Sequence, residues 1–360
     1  MKSSDTSKNV FGINRRFAFV FVVLFSLVHS TSLKAQIYVS NIDGNSVGEY
    51  NTDGTTVNAS FITGLNGPVD LAVSGADLFV VNSNSGTVGE YNLTTGAAIN
   101  ASLITGLSNP HGIAISGSDI FVGNESAGTV VEYTTSGGVV NTSLLSGLTE
   151  PGTLAISGGD LYVGEEYGGT VGQYTTSGGT VNASLISGLF DAGNITASGT
   201  NLFVTTGVEG TVAEYTTAGA LEHSSLVSGL GFPGSVAVDG SVLYVPDITT
   251  GKIETFNATT GAPINTALVS GLNYPAGLVV LPQTEDLPPV TVPEPSTWAL
   301  LLGGVGLLAL GRKPTRRTLF LAGAEKETVT GAFRGKGDRH VFTFRSRAIF
   351  TLPNKVGKNF

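Results

Sequence analysis

The chain has 360 residues, of which 50 are Gly, with no Cys, one Met, one Trp and only 12% charged residues. The lack of Cys rules out a disulfide framework, a thiolate metal site and a cysteine nucleophile, and a hydrophobic fraction of 41% is too high for a disordered chain. The formal net charge of −9 sums unlike parts: residues 1–35 hold five bases and one acid, residues 36–311 hold 23 acids and the single base Lys252, and residues 312–360 hold 12 bases and three acids.

The N-terminal segment reads as a secretory signal peptide spanning residues 1–35. Arg15-Arg16 precedes an apolar run, Phe17 to Val28, followed by a polar stretch and Leu33-Lys34-Ala35. The run is short for a membrane span, which favours cleavage over an uncleaved anchor. Cleavage after Ala35 leaves Gln36 as the new N-terminus; Ser32 is the neighbouring alternative.

Residues 36–281 repeat one motif six times. A Tyr or Phe closing a short apolar segment recurs at Tyr50, Tyr91, Tyr133, Tyr174, Tyr215 and Phe256, at spacings of 41 or 42. Gly-Leu recurs in step, from Gly64-Leu65 to Gly271-Leu272, with Pro soon after in every copy except the fifth, where Ala192 stands. Each copy predicts four short strands. In the second they are Leu71–Val73, Leu78–Val81, Thr87–Tyr91 and Ile99–Ile104, joined by Gly-containing turns. Strands apolar on both faces must be sandwiched, and a period near 41 suits β-propeller blades. The small residues Ala72, Ala114, Ala155, Thr196, Ala237 and Val279 fit an innermost strand where blades converge. The region opens on Ile37-Tyr38-Val39, a second strand, and ends on Gly277–Leu281, a first strand. Together they complete one blade, which predicts an all-β fold: a six-bladed ring of four-stranded blades closed by its N- and C-terminal strands. The unit resembles the NHL repeat, carried here by Pro110-His111-Gly112-Ile113-Ala114-Ile115, Ile120-Phe121-Val122, Asn124, Gly128-Thr129-Val130 and Tyr133. More loosely it resembles six-bladed lactonase and senescence-marker propellers.

Two sets of repeat positions fall near one mouth of such a ring. Asp70, Gly112, Thr153, Asn194, Ser235 and Gly277 come just before the first strands. Asn41, Asn82, Asn124, Glu165, Thr206 and Asp247 come just after the second strands, where Asn and Asp commonly form Asx turns. Asp70 and Asn194 lie three blades apart, so their oxygens would face each other across the channel, a setting suited to Ca²⁺. The resemblance to lactonases implies a divalent metal held by similar residue types, although that ligand set does not map residue by residue onto this chain. His111 sits near the same mouth, without the Ser or Asp partner of a nucleophile elbow. His223 falls on an outer strand. Glu165-Glu166 is a carboxylate pair of the kind that serves glycoside chemistry, but chain neighbours on a strand point apart. Asn58, Asn100, Asn141 and Asn182 open sequon-like triplets at one repeat position, which the repeat itself explains.

After a linker, residues 282–291, comes Val292-Pro293-Glu294-Pro295-Ser296-Thr297-Trp298. An apolar run follows from Ala299 to Leu310, then Arg312, Lys313, Arg316 and Arg317. Basic residues after the run stay cytoplasmic, and Trp298 marks the opposite interface of a transmembrane helix. Residues 292–317 resemble the PEP-CTERM sorting signal of Gram-negative bacteria. The resemblance implies recognition by a membrane exosortase, cleavage near Pro293–Pro295, and export linked to an exopolysaccharide matrix. The basic tail 318–360 departs from that pattern and is given no structure or function.

A middle with one base has no phosphate-binding patch, which argues against nucleic acid as a partner. The expectation is therefore an exported, non-enzymatic ring that binds exopolysaccharide or a matrix protein, with exosortase as its processing partner. The competing expectation is a lactonase-like or lyase-like hydrolase with a metal at the channel mouth, at Asp70 and Asn194 with His111 nearby.

Overall fold

The computed structural model describes residues 35–282 apart from 191, and three strands between 321 and 345. The chain divides into two units, residues 1–287 and 288–360. The described residues of the first form 24 strands in six four-stranded antiparallel sheets. It is a six-bladed β-propeller.

Blade 2 shows the plan, with strands Pro68–Ser74, Asp77–Asn82, Thr87–Asn92 and Ala98–Ile104 hydrogen-bonded in that order. The first strand begins three residues earlier than the apolar pattern suggests. Pro68 opens it, a position where a strand tolerates the missing donor. The second strand is apolar on both faces, and Leu78, Phe79, Val80 and Val81 are fully buried. The fourth is exposed over its first five residues, half-buries Leu103 and buries only Ile104. This gradient is the sequence-level signature of a sheet whose inner strands are sandwiched between neighbours and whose outer strand meets water.

Closure follows the expected pairing. Pro275–Leu281 and Gln36–Asn41 are neighbours in blade 1, with Ile37 opposite Val280, Tyr38 opposite Val279 and Val39 opposite Leu278. Ser40 fastens the joint: its hydroxyl accepts from Gly277 N at 2.8 Å and lies 3.4 Å from the carbonyl of Val69 in blade 2.

The small first-strand residues have a more specific reason than convergence alone. In register, Ala72 faces Phe79, Ala114 faces Phe121, Ala155 faces Tyr162, Thr196 faces Phe203, Ala237 faces Tyr244 and Val279 faces Tyr38. Each of these aromatic rings is buried. The small partner makes room for a large one on the next strand, which keeps interior packing near its native density.

The second unit holds strands Leu321–Gly323, Thr328–Arg334 and Arg339–Arg345, paired antiparallel in that order. The sequence reading assigns this basic tail no structure. The third of these strands carries Val341, Phe342 and Phe344, the β-branched and aromatic residue types that favour strands. The expected signal peptide through Lys34, the expected linker after Pro282 and the sorting segment 292–317 lie outside the described residues. Among the described residues, no helix is long and apolar enough to cross a membrane.

Candidate functional site

The mouth is built by the loops between second and third strands and by those that lead from one blade to the next. The first of the two expected sets runs around the ring in blade order as Gly277, Asp70, Gly112, Thr153, Asn194 and Ser235. Five of the six lie inside the first strands rather than before them; only Ser235 precedes its strand, Ala237–Asp239. Each is at or beside a register shift or an irregular start. Here the innermost strands of neighbouring blades nearly touch. A Cβ at Gly277 would lie 2.6 Å from Asp70 Cα, and one at Gly112 would lie 2.8 Å from Thr153 Cα. Glycine is required there by backbone proximity.

Asp70 ties blade 2 to blade 3. Its Oδ1 accepts from Leu71 N at 2.9 Å and its Oδ2 from Ile113 N at 3.0 Å. Burial pushes its carboxyl up to about 6, against the pull of those two amides and of nearby His111. Similar ties cross other blades: the Thr196 hydroxyl donates to the carbonyl of Val236, and Ser235 N donates to the carbonyl of Ala276. Asn194 uses its main chain, with its N–H donating to the Thr205 hydroxyl at 2.7 Å. The hydroxyls of Thr153 and Ser235 are buried without a partner within the described protein.

His111 lies half-buried in Pro110–Ser116, its Nδ1 3.3 Å from the carbonyl of Gly152 in blade 4. The structure brings it into electrostatic range of Asp70 and Glu125. Burial raises the Glu125 carboxyl, with His111 opposing and Glu150 reinforcing the shift. Asn109 donates to Glu125 Oε2 at 2.7 Å. Glu150 Oε2 is buried without a partner within the described protein. So His111, Asp70, Glu125 and Glu150 share one sector of the mouth, whereas Asn194 belongs to blade 5.

A metal at this mouth would need free oxygens. Both Asp70 oxygens accept backbone amides, and among the described residues no group of three or more His, Cys, Asp or Glu is placed to hold a metal ion.

The second set does end the second strands, and its bonds run further than an Asx turn. Asn82 Oδ1 accepts from Asn66 N at 3.3 Å, Asn124 Oδ1 from Ser108 N at 2.6 Å, and Glu165 Oε2 from Thr149 N at 2.7 Å. Asp247 accepts from Gly231 and Phe232 in the same way, and also from Thr249 and Thr250. Each of these latches the incoming inter-blade loop 15 or 16 residues upstream. Burial would raise the Asp247 carboxyl, but the amides of Gly231, Phe232 and Thr250, with the Thr250 hydroxyl, hold it below its usual range. Glu165 is therefore a loop latch, and its neighbour Glu166 begins the following loop.

Away from the mouth, His223 sits on outer strand Leu221–Ser228, with Nδ1 2.9 Å from Glu214 Oε2. Together they line a cleft of about 320 Å³ between blades 5 and 6. The sequon-like Asn58, Asn100, Asn141 and Asn182 each accept from the amide two residues on. Asn265 makes the same bond to Ala267 outside any sequon, so the asparagine serves the strand.

Ring closure and the mouth's inter-blade ties place the molecule in the class of six-bladed all-β propellers. Residues 291–317 match the PEP-CTERM protein-sorting motif, which marks an exported protein for sorting by exosortase. No curated protein matches the chain. Among solved structures, a chain of the nidogen/laminin complex aligns with a TM-score of 0.60 at 15% identity, over 68% of this chain and 98% of that one. Virginiamycin B lyase from Staphylococcus aureus, bound to quinupristin, aligns with a TM-score of 0.52 at 15% identity, over 70% and 94%. A protein from Desulfotomaculum acetoxidans aligns with a TM-score of 0.52 at 17% identity, over 69% and 99%. At these identities the likeness is one of fold.

Proposed function

We propose that this chain delivers a non-enzymatic propeller to the envelope or exopolysaccharide matrix of a Gram-negative bacterium, where the ring binds a matrix component. The sorting motif directly behind a closed ring carries this reading. It is supported by Asp70 of the first-strand set, whose carboxylate ties blade 2 to blade 3. Exosortase is the processing partner, acting at Pro293-Glu294-Pro295 after Trp298 and the run behind it enter the membrane. The cytoplasmic stop is Arg312, Lys313, Arg316 and Arg317. The test is to replace Pro293, Glu294 and Pro295 by Ala in the source cell. The variant is expected to accumulate uncleaved in the membrane fraction while the parent reaches the matrix. Equal distribution of both would sink the sorting half of the reading.

A second reading, a metal-dependent hydrolase, draws on His111 standing among Asp70, Glu125 and Glu150. Metal analysis of the purified chain separates the two. Stoichiometric Ca²⁺ or Zn²⁺ that is lost in an Asp70→Ala, Asn194→Ala double variant would favour the hydrolase.

A further inference from the structure

Aromatic exposure in this ring is confined to one place. Among its described residues, only four aromatic side chains are exposed: Tyr167 at 80%, Phe190 at 64%, Tyr274 at 49% and Phe232 at 37%. All four lie in mouth loops. Tyr167 follows the second strand of blade 4, and Phe190, Phe232 and Tyr274 lie on the loops leaving blades 4, 5 and 6. They occupy one contiguous sector. At the matching loop positions on the other side stand Asn66, Ser108 and Asn109, small and polar. The repeats agree closely elsewhere, so this divergence is a property of the loops, where binding residues concentrate.

Two further features bear on the sector. The residue before the first-strand Pro has positive φ around much of the ring, at Gly67, Asn109, Glu150 and Tyr274, and the sector differs in holding the bulky Tyr274 in that conformation, at φ +61. Left-handed backbone at a bulky residue is costly and is characteristic of binding sites. The electrostatic setting is predominantly acidic. Glu165 and Glu166 precede Tyr167, Glu150 opens blade 4, and Glu209 follows exposed Val208 in blade 5. The single base of the ring, Lys252, stands in blade 6 of the same sector, register-paired with Asp247.

We infer that this aromatic, acid-flanked sector of the mouth is a docking surface for a basic peptide segment of a partner protein, with Arg or Lys side chains seated on the rings. Aromatic faces attract cations, and guanidinium groups stack on them best. The surrounding carboxylates complete the complementarity and steer the approach, while they repel an anionic polymer. This rests on the binding reading above and names its partner class.

The test uses the full chain purified in detergent and a fluorescein-labelled Arg-rich peptide, followed by anisotropy. Comparison probes are a Glu-rich peptide, a chitosan oligomer and neutral dextran. A Tyr167→Ser, Phe232→Ser variant removes two rings. An Ile99→Ser, Val181→Ser variant removes equally exposed apolar groups from outer strands away from the mouth. The Arg peptide is expected to bind the parent and the outer-strand variant alike. The mouth variant is expected to bind about tenfold more weakly, the scale of two lost cation–π contacts. Equal affinity of all three proteins would overturn the proposal, since the ring's bulk negative charge would then suffice. Preference for chitosan or dextran would overturn it in favour of a glycan. If the peptide fails while the chain still localises to matrix, the partner class is wrong and the binding reading stands.

Discussion

At the scale of single residues, Asp70 is the most informative side chain in the ring. It is an acid whose folded-state affinity for protons is raised, to about 6, by burial. Its unfolded value is about 3.9, so the folded form prefers the proton between those values. The contribution is most favourable below about pH 4, weakens as pH rises through 6, and is flat above. The full swing has an upper bound of about 3 kcal/mol. Urea denaturation of the parent and Asp70→Asn at pH 4.5, 5.5, 6.5 and 7.5 checks this. The parent is expected to lose stability relative to the variant as pH rises, and parallel curves would refute the assignment. The sequence pointed to Asp70 but not to its task. A carboxylate at a predicted mouth suggests a ligand site, and only the position of Ile113 N on the next blade shows that a backbone amide occupies it. That neighbour is 43 residues away, a distance that periodicity locates only to the nearest blade.

At the scale of strands and turns, glycine placement divides into two kinds with different costs. Gly75 and Gly96 both have positive φ, +60 and +68. A Cβ added at Gly75 would meet nothing within 4 Å, whereas one at Gly96 would lie 2.3 Å from the carbonyl oxygen of Phe61 in blade 1. Gly75→Ala is expected to cost about 1 kcal/mol, the backbone penalty alone. Gly96→Ala is expected to cost at least about 1–2 kcal/mol more, because two blades must separate. Thermal or urea unfolding of the two variants measures the difference, and equal costs would show that the turn does not bear on its neighbour. The strands themselves were legible because they repeat: the alternation, the turn glycines and the recurring aromatic each appear six times. What stayed hidden was the register of strands within each copy. The small first-strand residues were visible, but the buried aromatic facing each one requires register. The exposed Tyr167, Phe190, Phe232 and Tyr274 were hidden for the opposite reason, since they break the repeat and so carry no periodic signal.

At the scale of the whole ring, charge and closure act against each other. Residues 36–281 hold 20 carboxylates and one lysine. The repulsion is felt locally: after burial, Asp77 helps raise the Glu90 carboxyl, and Asp119 does the same to Glu132. Raising ionic strength from about 0.01 to 0.15 M shortens screening from about 30 to 8 Å, so the melting temperature is expected to climb with NaCl. What holds the ring against that repulsion is the joint in blade 1, where the last strand completes the first. Its core is Ile37, Tyr38, Val39 and Leu278, all buried, and it closes an edge that would otherwise present free backbone donors and acceptors. The joint also bears on sorting. Pro275–Leu281 ends ahead of the motif at 291–317, so a cut within Pro293–Pro295 would remove the apolar run that follows and leave the closing strand in place. A chain ending at residue 290 should therefore melt with the same cooperativity as the full ring. One ending at residue 274 exposes the second strand of blade 1 along its whole length and should melt earlier, broadly, and with aggregation. Circular dichroism melts and size-exclusion chromatography of the two truncations decide it. A monomeric 274-residue chain with an unchanged melting temperature would mean that packing between blades, and not the shared blade, keeps the ring closed.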